Sequence, residues 1–231
     1  MPTGIMAIAA HPGDGQFTMG AAVAQHIDSG GSGVFVSLSS GERGHPKIPP
    51  AEYGQMQRDA MLKAAAAVGA QAEFLPYADA EVPSGDTISL QVCDLIRKHK
   101  PAIVVTHWSG SWHKDHQHSF LVARDGIFYA GLAAIRRDLP PHNAGKLFYA
   151  ENWEDAANYQ ADVYLDITPV YENWIRACAM FPMWRGETGF RYNDYYQGLA
   201  KCRGALAGSD YAVALMTDPE QRLKRVRSLD T

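Results

Sequence analysis

The chain has 231 residues, of which 46% are hydrophobic and 20% are charged. This composition is typical of a globular protein and excludes a disordered chain. The formal net charge of −4 argues against a nucleic-acid partner, because such surfaces need clustered Lys and Arg. No apolar run reaches about 18 residues, so we expect no membrane span.

Strand-like and helix-like stretches alternate along most of the chain. Hydrophobic patterning predicts strands at 5–10, 34–39, 72–77, 102–106, 147–151 and 163–167. Helices are predicted at 17–29, 51–69, 86–99, 117–138, 168–181 and near 194–206. This alternation is typical of βαβ units and predicts one α/β domain, with a mainly parallel sheet and helices on both sides.

The cysteines and the first residues of the chain are the features that bear on where in the cell we expect the protein. Cys93, Cys178 and Cys202 are scattered and odd in number, which predicts reduced thiols and a cytoplasmic location. The first ten residues lack the basic segment of a signal peptide. The basic stretch RLKRVRS (222–228) is interpreted as a solvated helix face rather than a binding patch.

Three polar loops follow predicted strands, where open α/β sheets bind their ligands. They are HPGD (11–14), GERGH (41–45) and HWSGSWHKDHQH (107–118). Five of the nine histidines lie in the first and third of these loops: His11, His107, His113, His116 and His118. Such clustering at one predicted sheet edge indicates a functional site.

His11 and Asp14 are the first candidate metal ligands. A turn that leaves a strand can point residues i and i+3 at one spot, and Pro12 between them stiffens the backbone. An imidazole and a carboxylate are a normal partial ligand set for Zn²⁺. The alternative, equally weighted for this pair alone, is that Asp14 caps the next helix and His11 is an ordinary strand-end residue.

The segment HKDH (113–116) supplies the second candidate cluster. Its histidines offer a third ligand and a further imidazole, and a carboxylate beside an imidazole fixes its tautomer. The alternative is a polar surface loop. Because both clusters follow strands of the same predicted sheet, a metal site is favoured over two unrelated polar loops.

These motifs resemble those of the PIG-L/LmbE-like metal-dependent N-deacetylases. AHPGD (10–14) is similar to the family's Ala-His-Pro-Asp-Asp, and HKDH (113–116) to its His-x-Asp-His. SGERGHP (40–46) resembles its Gly-Glu-x-Gly loop. RGALAGSDYA (203–212) resembles its closing segment, although Val213 stands where the family has Glu. The resemblance covers about residues 4–215.

The resemblance implies a fold and a set of roles. The fold is a Rossmann-like three-layer α/β/α sandwich that forms one domain over 1–231, with about 216–231 as a C-terminal extension. His11, Asp14 and His116 would bind Zn²⁺, or another divalent metal such as Fe²⁺. His113 would polarise the amide carbonyl and stabilise the oxyanion, and Asp115 would orient His113.

Gly13 departs from the family motif. The resemblance places there an Asp that acts as the general base, and this chain has no carboxylate at that position. General-base assistance contributes roughly 10²–10⁴ in rate. A metal alone still lowers the pKa of water, so we expect a slower or differently organised hydrolase. Glu42, Asp79 and Glu81 are candidate replacements that the sequence does not rank.

Several further residues carry weaker hypotheses. Glu42, Arg43 and Asp79 are candidate substrate-binding residues, with a loop salt bridge or a turn as the alternative. The aromatic segment 184–196 is interpreted as a sugar-stacking wall, an oligomer contact or a core edge. His107 and His118 occupy no motif position, so we expect them to be bystanders. The homo-oligomeric state stays open.

The sequence therefore predicts a zinc-type hydrolase that removes an N-acyl group, acetyl in the first instance, from a small-molecule amino-sugar conjugate. The alternative is a catalytically silent metal- or sugar-binding protein on the same scaffold, in which Gly13→Asp would restore activity. A dinucleotide-binding loop is disfavoured, because four residues separate Gly15 from Gly20 where the fingerprint has two.

Overall fold

A computed structural model describes residues 3–155 and 157–221 of the chain. Within these ranges, seven strands form one sheet. The strands are β1 (Gly4–Ala9), β2 (Ser32–Ser39), β3 (Gln71–Tyr77), β4 (Pro101–Thr106), β5 (Lys146–Ala150), β6 (Val163–Asp166) and β7 (Ala212–Thr217).

The strand order is β3-β2-β1-β4-β5-β7-β6. The first five strands in this order pair in parallel, whereas β7 runs antiparallel to both of its neighbours. The prediction of a mainly parallel sheet is confirmed. Parallel pairing brings the carboxyl ends of β1, β2, β3 and β4 to one edge, and the loops that follow these strands meet there.

Helices cover both faces of the sheet and confirm the three-layer α/β/α sandwich. The helices are α1 (Gly20–Asp28), α2 (Pro50–Ala67), α3 (Asp86–His99), α4 (Lys114–Gly131), α5 (Tyr171–Cys178) and α6 (Tyr192–Ala207). One core cluster packs α1, α2, α5 and α6 against the sheet, and a second packs α3 and α4 against the opposite face.

Strand β1 lies at the centre of both cores. Ile5, Ala7 and Ala9 belong to one core cluster, while Met6 and Ile8 belong to the other. Successive side chains of a strand point to opposite faces, so a strand covered on both sides is apolar throughout. Each large side chain buried in this way stabilises the fold by about 1.5–3 kcal/mol, which anchors the start of the following loop.

Strand β7 was not among the predicted strands. It is a six-residue apolar run, AVALMT, and a run of that length does not distinguish a strand from buried helix. The sheet ends at Thr217, and a C-terminal extension from about residue 216 stays a prediction. The basic stretch 222–228 lies outside the described residues.

Two predicted helices have different bounds in the structure. The helix expected at 117–138 is α4, which begins at Lys114 and ends at Gly131. His113 is its N-cap residue, and the backbone N–H of Asp115 donates to His113 Nδ1 at 3.2 Å. The stretch 168–181 divides into a 3₁₀ turn, Thr168–Val170, and α5. No helix of the described residues is long and apolar enough to cross a membrane.

Candidate metal centre and active site

Three side chains from two strand ends converge at the carboxyl edge of the sheet. His11 and Asp14 lie in the turn after β1, and His116 lies in the first turn of α4. Asp14 Oδ2 is 2.9 Å from His11 Nδ1 and 3.0 Å from His116 Nε2. The structure therefore brings together the three residues that the sequence predicted as metal ligands.

These donors fit a divalent metal. One ligand atom from each of the three residues lies within 4.8 Å of the other two. Two imidazoles and a carboxylate suit Zn²⁺ or Fe²⁺. His11, His113 and Asp115 form a second group that meets the same distance limit. The first group is favoured because one oxygen, Asp14 Oδ2, already contacts a ring nitrogen of both histidines.

The second ring nitrogen of His11 is also held by carboxylates. His11 Nε2 lies 3.0 Å from Asp79 Oδ1 and 3.2 Å from Asp115 Oδ2. Carboxylates in this position fix the tautomer and orientation of a ligand imidazole. Asp115 was expected to orient His113, but its carboxylate contacts His11, and only its backbone N–H bonds to His113.

The second ring nitrogen of His116 faces residues that the sequence analysis did not identify. Glu154 Oε2 lies 2.8 Å from His116 Nδ1 as an ion-pair contact, although it makes no hydrogen bond of normal geometry. Asn152 Nδ2 lies 3.3 Å from the same nitrogen. Both residues are in the loop after β5, and that position at a strand end was the available signal.

His107 was expected to be a bystander, but it packs directly on the site. Its ring stacks on that of His116 with 3.9 Å between centroids. The backbone N–H of Ala10 donates to His107 Nε2 at 3.2 Å, which ties the ends of β1 and β4 together. His118, by contrast, contacts the backbone carbonyl of Val82 through Nδ1.

Burial and charge set the protonation states of the centre. Burial lowers the pKa of His116, but Asp14 and Glu154 outweigh it and raise that pKa to about 9. Burial also opposes the charged form of His11, yet Asp115, Asp14 and Asp79 raise its pKa well above the usual value. Asp14 is held well below its usual pKa despite its burial, because His116 and His11 face it.

His113 differs in protonation from the two candidate ligand histidines. Burial lowers its pKa, and the charges of His116 and His11 lower it further. A neutral ring whose Nδ1 accepts the Asp115 N–H carries its proton on Nε2. His113 therefore presents an N–H donor at the edge of the site, as an oxyanion-stabilising residue must.

The space beside Gly13 is already filled. The backbone φ of Gly13 is +100°, and a Cβ there would lie 2.9 Å from Met183 Sδ and 3.5 Å from the Phe17 ring. Gln57 Nε2 donates to the Pro12 carbonyl at 3.2 Å and lies 3.5 Å from Met183 Sδ. A side chain at residue 13 would therefore require the end of the Met183 side chain to shift, in addition to the strained φ.

The polar side chains of the candidate substrate-binding loops bond mainly to one another. Glu42 accepts hydrogen bonds from Ser40 Oγ and from the backbone N–H of Asp79. Arg43 pairs with the exposed Glu81 at 2.8 Å, and its backbone N–H donates to Asp79 Oδ2 at 3.0 Å. Of these five residues, only Asp79 lines the cavity beside the candidate metal centre.

That cavity has a volume of about 320 Å³, at the lower end of the range for small-molecule sites. No Lys or Arg is among the described residues that line it. The aromatic segment 184–196 contributes Thr188, Phe190 and Tyr192 to the lining, whereas Trp184 and Tyr196 are buried in the core.

Metal binding should release protons. At about pH 7.5 the metal-free centre holds protons on His11 and His116, since both pKa values are raised. A ligand nitrogen must lose its proton to bind a metal. We therefore expect release of more than one proton per Zn²⁺, and an affinity that rises with pH up to about 9. Titration calorimetry in two buffers of different ionisation enthalpy measures this, and heats independent of the buffer would contradict it.

Restoring the family's aspartate should damage the fold rather than restore activity. Gly13→Asp would adopt a strained φ and clash with Met183, so we expect a loss of about 1–3 kcal/mol in the free energy of unfolding. Gly13→Ala is the matched control, because it carries the same strain without the charge. Urea unfolding measures both, and parental stability in either variant would show that this loop rearranges freely.

The chain matches one described protein family. The model for PIG-L, GlcNAc-PI de-N-acetylase, matches residues 6–125, which is more than half of the 231 residues. That stretch contains His11, Asp14, His113, Asp115 and His116.

Relatives that match over most of their length have different activities. A diacetylchitobiose deacetylase from Thermococcus kodakarensis is 24% identical, over 93% of this chain and 83% of that protein. A 4-oxalmesaconate hydratase from Pseudomonas putida is also 24% identical, over 87% of this chain and 80% of that protein.

Solved structures share the whole fold. The 4-carboxy-2-hydroxymuconate hydratase of Pseudomonas putida superposes with a TM-score of 0.86 at 22% identity, covering 98% of each chain. The N,N'-diacetylchitobiose deacetylase of Pyrococcus horikoshii superposes with a TM-score of 0.80 at 19% identity, covering 99% of this chain and 88% of that chain. The family match and the fold agree, and the chain belongs to the PIG-L (GlcNAc-PI de-N-acetylase) family.

Proposed function

We propose that the protein is a divalent-metal-dependent hydrolase that removes an N-acyl group, acetyl in the first instance, from a neutral amino-sugar conjugate. The observation that carries this proposal is the convergence of His11 Nδ1, Asp14 Oδ2 and His116 Nε2. These atoms lie beside His113, in a cavity without Lys or Arg among its described lining residues. The deacetylase relatives support the same reaction class.

His11, Asp14 and His116 would hold the metal, with Zn²⁺ as the first candidate and Fe²⁺ as the second. When bound, the ion supplies Lewis acidity to the acyl carbonyl and lowers the pKa of water. Asp79 and Asp115 hold His11 from its other nitrogen, and Glu154 faces the other nitrogen of His116. These carboxylates keep both rings oriented toward the centre.

His113 would stabilise the negative charge that develops on the carbonyl oxygen. Its N–H donor faces the cavity from the start of α4, where the partial positive charge of the helix N-terminus also favours an anion. A neutral imidazole keeps its Nε2 proton, so the proton for the leaving amine would be the one that the accepting carboxylate takes from water. The position of His113 as N-cap fixes its ring without a carboxylate partner.

We assign the proton-accepting role to Asp79. Burial raises its pKa, but His11 and the Arg43 backbone outweigh this and lower the pKa below the usual value. It is therefore ionised at neutral pH. Glu42 does not line the cavity, and Glu81 lies outside it, exposed and paired with Arg43. Asp79 is the one of the three candidate carboxylates that lines the cavity.

The charge of the cavity argues against the substrates of the hydratase relatives. The name 4-carboxy-2-hydroxymuconate denotes an anionic substrate, and an anion next to Asp14, Asp79 and Glu154 needs cations. Arg43 lies in the loop beside Asp79, but it is bonded to Glu81 and to the Asp79 carbonyl. A neutral sugar meets no such electrostatic cost.

His116→Ala should abolish metal retention and hydrolysis together, because it removes one of three ligands. His113→Ala is the matched variant: it should retain a full equivalent of metal and lose roughly 10²–10³-fold in kcat, as for the loss of one oxyanion donor. Metal analysis and amine release from N-acetylated amino sugars measure both. Full metal stoichiometry in His116→Ala would overturn the ligand assignment.

The variants Asp79→Asn and Asp115→Asn distinguish a carboxylate that accepts a proton from one that only orients His11. Both carboxylates contact His11 Nε2, at 3.0 and 3.2 Å, but only Asp79 lines the cavity. We expect Asp79→Asn to lower kcat by about 10²–10⁴ with its metal retained. Asp115→Asn should chiefly weaken metal binding, by about 10–100-fold.

Metal dissociation constants and kcat at saturating metal distinguish these outcomes. Equal losses of kcat in the two variants would show that Asp79 only orients His11. Release of no amine from any N-acyl sugar, with metal bound, would favour the silent binding protein. In that case Gly13 would be the change that removed the chemistry.

A further inference from the structure

Among the described residues, four of the nine buried side-chain atoms without a hydrogen-bond partner belong to residues that line the cavity beside the candidate metal centre, and one of the four is Glu154 Oε2. Tyr53 Oη, Gln57 Oε1 and Thr188 Oγ1 are buried and unpartnered, and all three residues line this cavity. Tyr53 and Gln57 are 0% and 2% exposed. Buried polar groups are normally satisfied, so three orphans around one space indicate a ligand with several hydroxyl or amide groups.

An exposed tryptophan lies at the same cavity. Trp112 is 60% exposed and lines the cavity, with its ring centroid 5.9 Å from that of His113. A second aromatic pair supports it: Trp153 lies 5.9 Å from Trp112 in a T-shaped arrangement and stacks on Phe190 at 4.3 Å. The backbone N–H of Trp112 donates to the Glu154 carbonyl at 3.1 Å, which fixes its position.

The two sets of residues select one class of ligand. A flat aromatic face suits an apolar ring face, and orphaned donors and acceptors suit hydroxyls. Asp14, Asp79 and Glu154 line the cavity, and no Lys or Arg does so among the described residues, which disfavours an anion. A pyranose ring, with apolar C–H groups on its faces and hydroxyls around its edge, fits all three conditions.

We propose that Trp112 is the platform on which the acylamino sugar stacks, and that Tyr53, Gln57 and Thr188 bond its hydroxyl groups. This inference rests on the proposed function and names the part of the substrate that the cavity recognises. Because Trp112 directly precedes His113 in the chain, a ring on the platform lies next to the N–H donor. The platform thus positions the acylamino group for the reaction.

The platform is tested by measuring sugar binding in a variant in which hydrolysis is slowed. The probes are N-acetylglucosamine and N,N'-diacetylchitobiose, titrated into the zinc-loaded His113→Ala protein by calorimetry. Added to that background, Trp112→Ala should raise Kd at least about tenfold, and Trp112→Phe by no more than about threefold, because a ring remains. Phe128→Ala is the matched control, since Phe128 is 62% exposed on α4 and lies outside this cavity.

The hydroxyl partners have their own variants. Tyr53→Phe and Thr188→Val each remove one hydroxyl with little change of shape, and we expect a higher KM at nearly unchanged kcat in the otherwise intact enzyme. A change confined to kcat would contradict their assignment to hydroxyl binding. Far-UV circular dichroism shows whether each variant is folded.

The outcomes separate this inference from the proposed function. Sugar binding that depends on Trp112, without amine release by the intact enzyme, would support the platform and contradict the hydrolase. Amine release with parental KM in Trp112→Ala would overturn the platform and leave the hydrolase standing. Equal weakening by Trp112→Ala and Phe128→Ala, or no binding of either sugar, would also overturn the platform.

Discussion

The carboxylate of Asp14 is the contact on which the rest of the site depends. One of its oxygens lies within 3.0 Å of ring nitrogens from both His11 and His116, which join the end of β1 to the start of α4. In the metal-free protein this contact resembles a buried ion pair, whose desolvation is costly unless other bonds compensate. A divalent cation would replace the protons and keep the same geometry, and the surrounding carboxylates are arranged around that positive charge.

Those carboxylates also bear on Gly13, the position where the chain departs from its family motif. Gly13 lacks the expected carboxylate, and Met183 fills the adjacent space. The negative charge near the centre is supplied instead by Asp79, Asp115 and Glu154, each paired with a histidine ligand. The catalytic role that we assign to Asp79 follows from this redistribution.

The sequence indicated His11, Asp14 and His116 as candidate ligands because they lie in the loops and the helix start that follow β1 and β4, where topology brings chain segments together. Glu154 follows β5 closely, and that position was the available signal, whereas Met183 and Thr188 reach the cavity from the irregular connection after α5 and could not be predicted. Strand β7 was missed since a short apolar run has no distinguishing period. The contact between Asp115 and His11 depends on a helix that begins three residues earlier than its hydrophobic pattern indicated.

The most direct test of the account is anomalous diffraction at the zinc edge from crystals grown with Zn²⁺. The account predicts one strong peak bonded to His11 Nδ1, Asp14 Oδ2 and His116 Nε2, at about 2.0–2.2 Å from each. A peak bonded instead to His113 and Asp115, or none at this edge of the sheet at full zinc loading, would contradict it.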